Sequence, residues 1–550
     1  MGNAFSFITK QFKKKLGKQS GQKTKPSPKS KPPIPSAPDT AGLEARLQYV
    51  QKTLGESKDV IIREFKSGND QVKLALVFIE GLADKNLIHK HIIEPILSDN
   101  QNRQYVDRMR PGNALNLIQK HIASGSEVST VPSLKLALKL VLDGDTALLI
   151  DTEKDILVFG TRAWVKRAVD EPVLESVVRG PREGFTETLR DNTALLRRRI
   201  RHESLRLESM KAGRLTDTVL VLAYLNGLVN PRLLEEVRRR IAAIDTDSIL
   251  ESGYIQEFIQ DDKWTVFPQL EYTERPDKAA AAILEGRVVI LCENTPMALI
   301  VPTVFFQFIQ AVEDYYEQPA IGATLVRLLR LGVLNIALML PALYVAITTF
   351  HQEMLPTPLL LSIAANREGI PLPAVAEALL METTFEVLRE AGIRLPKAVG
   401  QAVSIVGGLV IGNAAIQAGI VSPAMVIVVA TTAISSFAIP AFTASIALRL
   451  LRFPLIILGG IMGLYGVIIG LLVILIHLAG LQSFGVPYLT PLVHGTLDDM
   501  AGTFFRPPWW LALKRPRMLA VQDRKRQAKN MRPRDVPNDE RELFHEGREE

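Results

Sequence analysis

A single cysteine, Cys292, stands in a chain of 550 residues. That excludes an intramolecular disulfide framework and any zinc or iron–sulfur site built from several thiolates, and it suits a soluble part facing a reducing compartment. The short motifs of common enzyme chemistry are also missing: there is no P-loop, GxSxG, HExxH or dinucleotide fingerprint. Eight histidines are scattered along the chain, and His89 and His91 would fall on opposite faces of a helix, so no metal-ligand spacing emerges. The residues therefore point to no cofactor and no metal, and the chain reads as a non-enzyme.

Charge is missing from four long stretches, although the averages conceal it: mean hydropathy is only +0.13 and 22% of residues are charged. Segments 331–350, 398–421 and 423–448 contain no charged residue, and 453–481 has only His477 among groups that ionise near neutral pH. A bilayer crossing needs about 20 mostly apolar residues, and four such runs within 150 residues are too many for one soluble core. The helices also look made to touch. Gly408 and Gly412 form a GxxxG, a spacing repeated by Gly459/Gly463 and by Gly466/Gly470. Small residues four apart share a helix face and let backbones approach where lipid gives little hydrophobic drive. Gln401, Ser404, Asn413 and Gln417 lend the second run a polar face that should look inward; hydrogen bonding between helices and lining of a pore both satisfy it.

Basic residues set the expected orientation. Arg327 and Arg330 flank the first run, and ten Lys/Arg against one acid lie between Arg506 and Arg534. Both flanks are expected to be cytoplasmic, and the absence of a cleavable leader before the soluble half agrees. Four simple crossings would leave Arg449 and Arg452 outside. A fifth or re-entrant segment within 352–397, balanced by another within 482–505, would return them.

The first 300 residues differ in kind. Residues 1–42 are a Lys/Pro-rich basic extension expected to be largely disordered, although Phe5, Ile8, Phe12 and Leu16 recur at helical spacing among lysines, a pattern suited to an anionic membrane surface. From Leu43 onward, short apolar runs alternate with amphipathic helices, which predicts an α/β (α+β) region. It repeats internally. Residues 76–88 (LVFIEGLADKNLI) align with 222–234 (LAYLNGLVNPRLL), each a strand, a Gly turn, an Asp/Asn cap and a helix start. Residues 142–150 align with 284–292 in the same way. The expected organisation is two related subdomains at 43–170 and 171–310, an all-α transmembrane domain of four to six segments at 311–505, and a basic tail at 506–550. A helix around 195–211 is rich in arginine and presents either a solvated face or a surface for acidic partners.

Between two apolar runs, Glu377, Glu382, Glu386 and Glu390 lie in a segment bounded by Pro373 and Pro396. The last three are four apart and share a helical face. Carboxylates among membrane segments are costly unless they meet water, a cation or a basic partner. In a ring of subunits they would form a ring of negative charge that concentrates cations; the alternative is pairing with Arg389, Arg394, Arg449 or Arg452. Glu377, Glu382, Glu386, Glu390, Gln401 and Asn413 are thus candidates for an ion path, and Gly408, Gly412, Gly459 and Gly463 for helix packing.

Three stretches carry a family resemblance: 178–200 (VRGPREGFTETLRDNTALLRRRI), 367–373 (REGIPLP) with 377–396 (EALLMETTFEVLREAGIRLP) and 400–408 (GQAVSIVGG), and 483–489 (SFGVPYL). Together they resemble the A-subunit family of GerA-type bacterial spore germinant receptors, which includes stage V sporulation AF-type paralogues, over about residues 45–510. The resemblance implies a multi-pass protein of the spore inner membrane, or bacterial cell membrane, with cytoplasmic termini. It implies assembly with copies of itself into a ring, as a pentamer, that conducts ions when germinants are sensed, alongside a transporter-like B subunit and a lipoprotein C subunit. Membrane lipid is an expected partner and nucleic acid is not. The alternative is a non-conducting scaffold that couples a nutrient sensor to another channel.

Overall fold

Gly81 and Gly227 occupy one place in two copies of a single fold. Each follows an apolar strand and holds a positive φ, 86° and 78° respectively, which glycine adopts without a Cβ penalty. Each turn then feeds a capped helix: Asp84 accepts from Asn86 N and Leu87 N, and Asn230 accepts from Arg232 N ahead of Pro231. The computed structural model describes residues 38 and 42–532, except 56, 68–71, 98–108, 111, 123–126, 152, 163–170, 173–174, 178, 317–318, 396–407, 409, 494 and 530. The amphipathic N-terminal pattern, Gln401 and the end of the basic tail lie outside the described residues.

The first sheet comprises β1 (Val60–Ser67), β2 (Val72–Ile79), β3 (Val128–Val131), β4 (Thr146–Ile150) and β5 (Ile156–Phe159) in the order β1-β2-β4-β5-β3. The second comprises β6 (Leu205–Ala212), β7 (Thr218–Leu225), β8 (Glu271–Thr273), β9 (Val288–Cys292) and β10 (Ala298–Val301) in the order β6-β7-β9-β10-β8. The orders match strand for strand, and every pairing is antiparallel. β2 and β7 descend from the first aligned pair of sequence segments, β4 and β9 from the second. Both faces of these central strands are buried, which is why they read as continuous apolar runs.

The arginine-rich linker departs from the expectation of one helix over 195–211. Its helix is Leu189–Arg199, and 205–212 is β6, whose Leu205 and Leu207 point inward at strand spacing. Its arginines are largely spent within the chain. Arg197 is buried and donates to Asp59 at 2.6 and 3.1 Å. Arg199 reaches Glu183, Arg201 reaches Asp143, and Arg206 donates to Thr53 O. Along the same helix Ala194 joins the core of the first subdomain, while Leu195 and Leu196 join that of the second.

Asp314 marks the exit from the soluble part, accepting from Arg327 Nε at 2.9 Å and Arg330 Nη1 at 2.8 Å. The helix Ala320–Phe350 then extends roughly 46 Å at 1.5 Å per residue. The helix Ala374–Arg394 comes back towards the soluble part. A helix over 410–417 leads outward to Gly419, which lies by Gly369. The helix Pro423–Phe437 returns, and the long element Phe442–Gly480 follows.

That last element is a hairpin. Gly463 has φ 62° and ψ −145° in its middle, a region essentially reserved for glycine. A Cβ on Gly470 would sit 2.5 Å from Leu455 Cδ2, a residue about 15 positions earlier that a straight helix would hold roughly 22 Å away. Arms 442–462 and 464–480 therefore run antiparallel. The outgoing arm follows Ala320–Phe350 in the same direction: Arg452 Nε donates to Ala337 O at 2.8 Å, Gly459 abuts Ala342, and Gly463 meets His351. Two expectations change accordingly. Helix breaks fall at 438–441 and at Gly463, not at 449–452. The described residues of 482–505 form no balancing apolar segment; they make a two-stranded ribbon and the helix Leu497–Phe504, and the ribbon docks on the soluble part through Ser483 Oγ to Gln269 O and Tyr488 OH to Pro268 O. The chain reverses at Gly463 instead. Apolarity could not reveal it, because the sequence is continuously apolar on both sides of the turn, over 453–462 and 464–476.

Candidate functional site

The helix Ala374–Arg394 places its glutamates along the outgoing hairpin arm, and the opposite running directions bring complementary charges into step. Val375 touches Gly460, Glu382 reaches Arg452, and Glu386 reaches Arg449. Arg452 and Arg449 are three apart and the glutamates four, so each pair spans the two helices at successive turns. The Glu382 Oε2 to Arg452 Nη1 distance is 2.6 Å and both side chains are buried; Glu386 Oε2 to Arg449 Nη1 is 2.7 Å. Arg389 lies in the same layer with its guanidinium 4.6 Å from the Phe437 ring centre.

Glu377 sits apart, near the outer end of the bundle. It is fully buried, accepts from Ser422 N and Oγ at 3.0 Å each, and faces Arg367 Nη2 at 3.0 Å. Glu390 lies on the same helix as the paired glutamates but is exposed and bonded to Arg394 at 2.6 Å. Asn413 is exposed on the helix 410–417. The structure thus brings Glu382 and Glu386 together with Arg389, Arg449 and Arg452, and leaves Glu377, Glu390 and Asn413 outside that cluster. Two carboxylates against three guanidinium groups leave one net positive charge. Glu382 Oε1, Glu386 Oε1, Arg389 Nη1 and Arg452 Nη2 find no hydrogen-bond partner among the described residues, so the layer keeps polar valence to offer.

The glycines divide. Gly459 lies against a neighbouring backbone: a Cβ there would come within 2.8 Å of Ala342 O. Gly463 makes the hairpin turn, and a Cβ on Gly466 would overlap the Leu458 carbonyl oxygen. Gly412 is buried, 3.6 Å from Val426 on the same test, whereas Gly408 is exposed with nothing within 4 Å. The glycines at 466 and 470 noted for their spacing are those that let the arms close.

In the soluble part, Lys278 is held by Glu175 and Glu271, each at 2.7 Å; the two carboxylates outweigh burial and raise its pKa. Lys278 and Glu271 border a cleft of about 160 Å3 walled by Tyr315, Tyr316 and Trp509, next to the connector that carries Asp314. Burial pushes the Cys292 thiol up to about 12. Sequence reasoning missed the Asp59–Arg197 pair and the contact of His477 Nε2 with Thr265 Oγ1 at 2.9 Å. Neither has a local signal, since the partners lie far apart in the chain. Among the described residues, no three His, Cys, Asp or Glu side chains gather as a metal site.

The family model described as Bacillus/Clostridium GerA spore germination protein matches residues 48–518. Spore germination protein KA of Bacillus subtilis (strain 168) is 47% identical over 494 residues, 89% of this chain and 89% of that protein. The membrane protein YfkQ of the same organism is 42% identical over 503 residues, 91% of this chain and 96% of that protein. Among solved structures, the N-terminal domain of the A subunit of the Bacillus megaterium spore germinant receptor GerK3 is 34% identical. It aligns with 48% of this chain and 98% of its own, with a TM-score of 0.39.

Proposed function

Since the chain belongs to the GerA family of spore germination proteins, we propose that it is a multi-pass membrane subunit of a germinant receptor, assembled with copies of itself into a cation-conducting ring. The observation that carries this reading is the pair of bridges Glu382–Arg452 and Glu386–Arg449 inside an apolar helical bundle. Four charges in such a place are expensive to keep for packing alone, and ionisable groups among membrane helices mark pathways and switches. With a net positive charge as it stands, the cluster opposes cations. Conduction therefore requires the pairs to open, which makes them the closed state's latch and their carboxylates the cation-attracting groups of the open state.

The same reading takes six passes, out at 320–350, back at 374–394, out through the run that ends at 410–417, back at 423–437, and two hairpin arms. An even number puts the soluble part and the basic tail on one side, the cytoplasmic side by the charge rule. The spore inner membrane is the expected location, and a transporter-like B subunit and a lipoprotein C subunit are the expected receptor partners.

A second reading has its own support. In the single chain both inner glutamates are already paired, as a scaffold that only transmits a signal would need. Reconstitution of the purified protein in liposomes separates the two. On the channel reading, Arg449→Gln, which frees Glu386 and removes the excess positive charge, raises resting cation flux above that of the unaltered protein, with oligomer size preserved. Flux indistinguishable from empty vesicles in every variant leaves the scaffold reading standing.

A further inference from the structure

Trp264 is 94% exposed, an unusual state for the largest amphipathic side chain. It belongs to the loop 261–267, which is fixed directly beneath the returning hairpin arm. Thr265 Oγ1 meets His477 Nε2, the Phe267 ring lies 6.1 Å from the His477 ring, and Asp261 Oδ2 accepts from Phe484 N. His477 is in the last turn of that arm. The neighbouring Ile476 is 71% exposed, as are Leu472 and Val473 in lesser degree, so the arm's outward apolar surface continues down to the level of the loop. Val266 beside Trp264 is exposed too, and Phe258 is exposed in the last turn of the helix leading into the loop.

We propose that Trp264, with Val266 and Phe258, inserts into the headgroup layer of the adjacent leaflet and braces the second soluble subdomain on the membrane surface. Tryptophan prefers this zone because its ring is apolar while its N–H bonds at the wet boundary. Lys263 next to it supplies a cation for anionic lipid phosphates. The loop's remaining charges are engaged elsewhere: Asp261 binds Arg240, and Asp262 accepts from Trp264 N. Continuity with the arm's outward apolar face favours lipid over a neighbouring protein. A subdomain held at the surface in this way would tie its own movements to the hairpin, because the same loop grips both.

The inference rests on the helices lying in a bilayer, and the test keeps the two apart. In a Cys292→Ser background, Ile476→Cys and Trp264→Cys are each labelled with an environment-sensitive fluorophore in the full-length protein, reconstituted in vesicles containing anionic lipid. Quenchers are placed at headgroup depth, at mid-chain depth and in the water. The expected result is mid-chain quenching at 476 and, at 264, quenching severalfold stronger from the headgroup label than from the other two. A site 476 indifferent to lipid quenchers removes the membrane placement and the proposal with it. Lipid quenching at 476 with water-only quenching at 264, or with a 264 probe shielded from all three by a protein neighbour, overturns the proposal alone. If labelling disturbs folding, brominated lipid in unlabelled vesicles gives a second reading: Trp264→Phe should lose a lipid-quenched share of tryptophan emission, and no loss overturns the insertion.

Discussion

Glu382 and Arg452 meet at 2.6 Å with both side chains 1% exposed, and Arg452 also ties to the backbone of the helix Ala320–Phe350 through Ala337 O. One guanidinium thus joins three helices. Removing one member of a buried pair strands the other, at a cost of about 3–5 kcal/mol, whereas replacing both by apolar groups is often neutral. Glu382→Gln is therefore expected to lower the unfolding temperature of the detergent-purified protein markedly, and Glu382→Leu with Arg452→Met to restore most of it. If the single and double variants fall equally, the pair does not hold the bundle.

The soluble part has a similar joint. Asp59 at the entrance to β1 and Arg197 in the linking helix are both buried and doubly bonded. Asp59→Asn should weaken subdomain association by about 3–5 kcal/mol, on the same logic of an abandoned charge. Limited proteolysis of the linker region is the measurement, and cleavage should accelerate by more than tenfold. Unchanged cleavage would assign the joint to the Ala194, Leu195 and Leu196 contacts instead.

Much of this architecture was legible in advance, and the gaps have physical causes. The repeat at 76–88 and 222–234 showed itself because a Gly turn and an Asp/Asn cap are local devices that leave residues at fixed offsets. The glutamates at 382, 386 and 390 announced a shared face, but which of Arg389, Arg394, Arg449 and Arg452 would answer it depended on how distant helices pack. Gly463 gave no such warning. Its GxxxG spacing reads as a packing face, and a positive φ leaves no trace beyond the glycine itself. The burial of Arg197 was equally hidden, since an arginine run looks solvated until its distant partners at Asp59 and Glu183 are known.

Cys292 offers a pH-based test of the soluble core. Its thiol is buried on β9 and pushed up to about 12. The shift is upward, so the neutral form is kept. At pH 8 the folded protein would hold about 10⁻⁴ of it as thiolate, against about a quarter for a free cysteine of pKa 8.5. Alkylation with iodoacetamide at pH 8 should consequently report unfolding: negligible in the native protein, and rapid once denaturant passes the transition. Prompt labelling under native conditions would mean that β9 is open.

The turn at Gly463 predicts a topology. If arms 442–462 and 464–480 both span, the soluble part and the tail share one side of the membrane. If Phe442–Gly480 were one straight helix, it would be roughly 58 Å long against a hydrocarbon core of about 30 Å, and would deliver the tail to the opposite side. The docking contacts decide between these physically: Leu519 and Val521 are buried in the second subdomain's core, and Gln522 N donates to Leu228 O. Cysteines at Leu215, an exposed site in the soluble part, and at Ala528, an exposed site in the tail, should react with an impermeant maleimide from the same face of sealed vesicles. Gly463→Val should then separate cause from coincidence. A branched side chain cannot adopt φ 62° and ψ −145° without strain, and the added bulk meets His351 and Phe350. The variant should lose the tail's docking, seen as faster proteolysis beyond residue 480. Opposite-side labelling in the unaltered protein would remove the hairpin as a pair of crossings, and with it the even count that keeps the soluble part and the tail on one side.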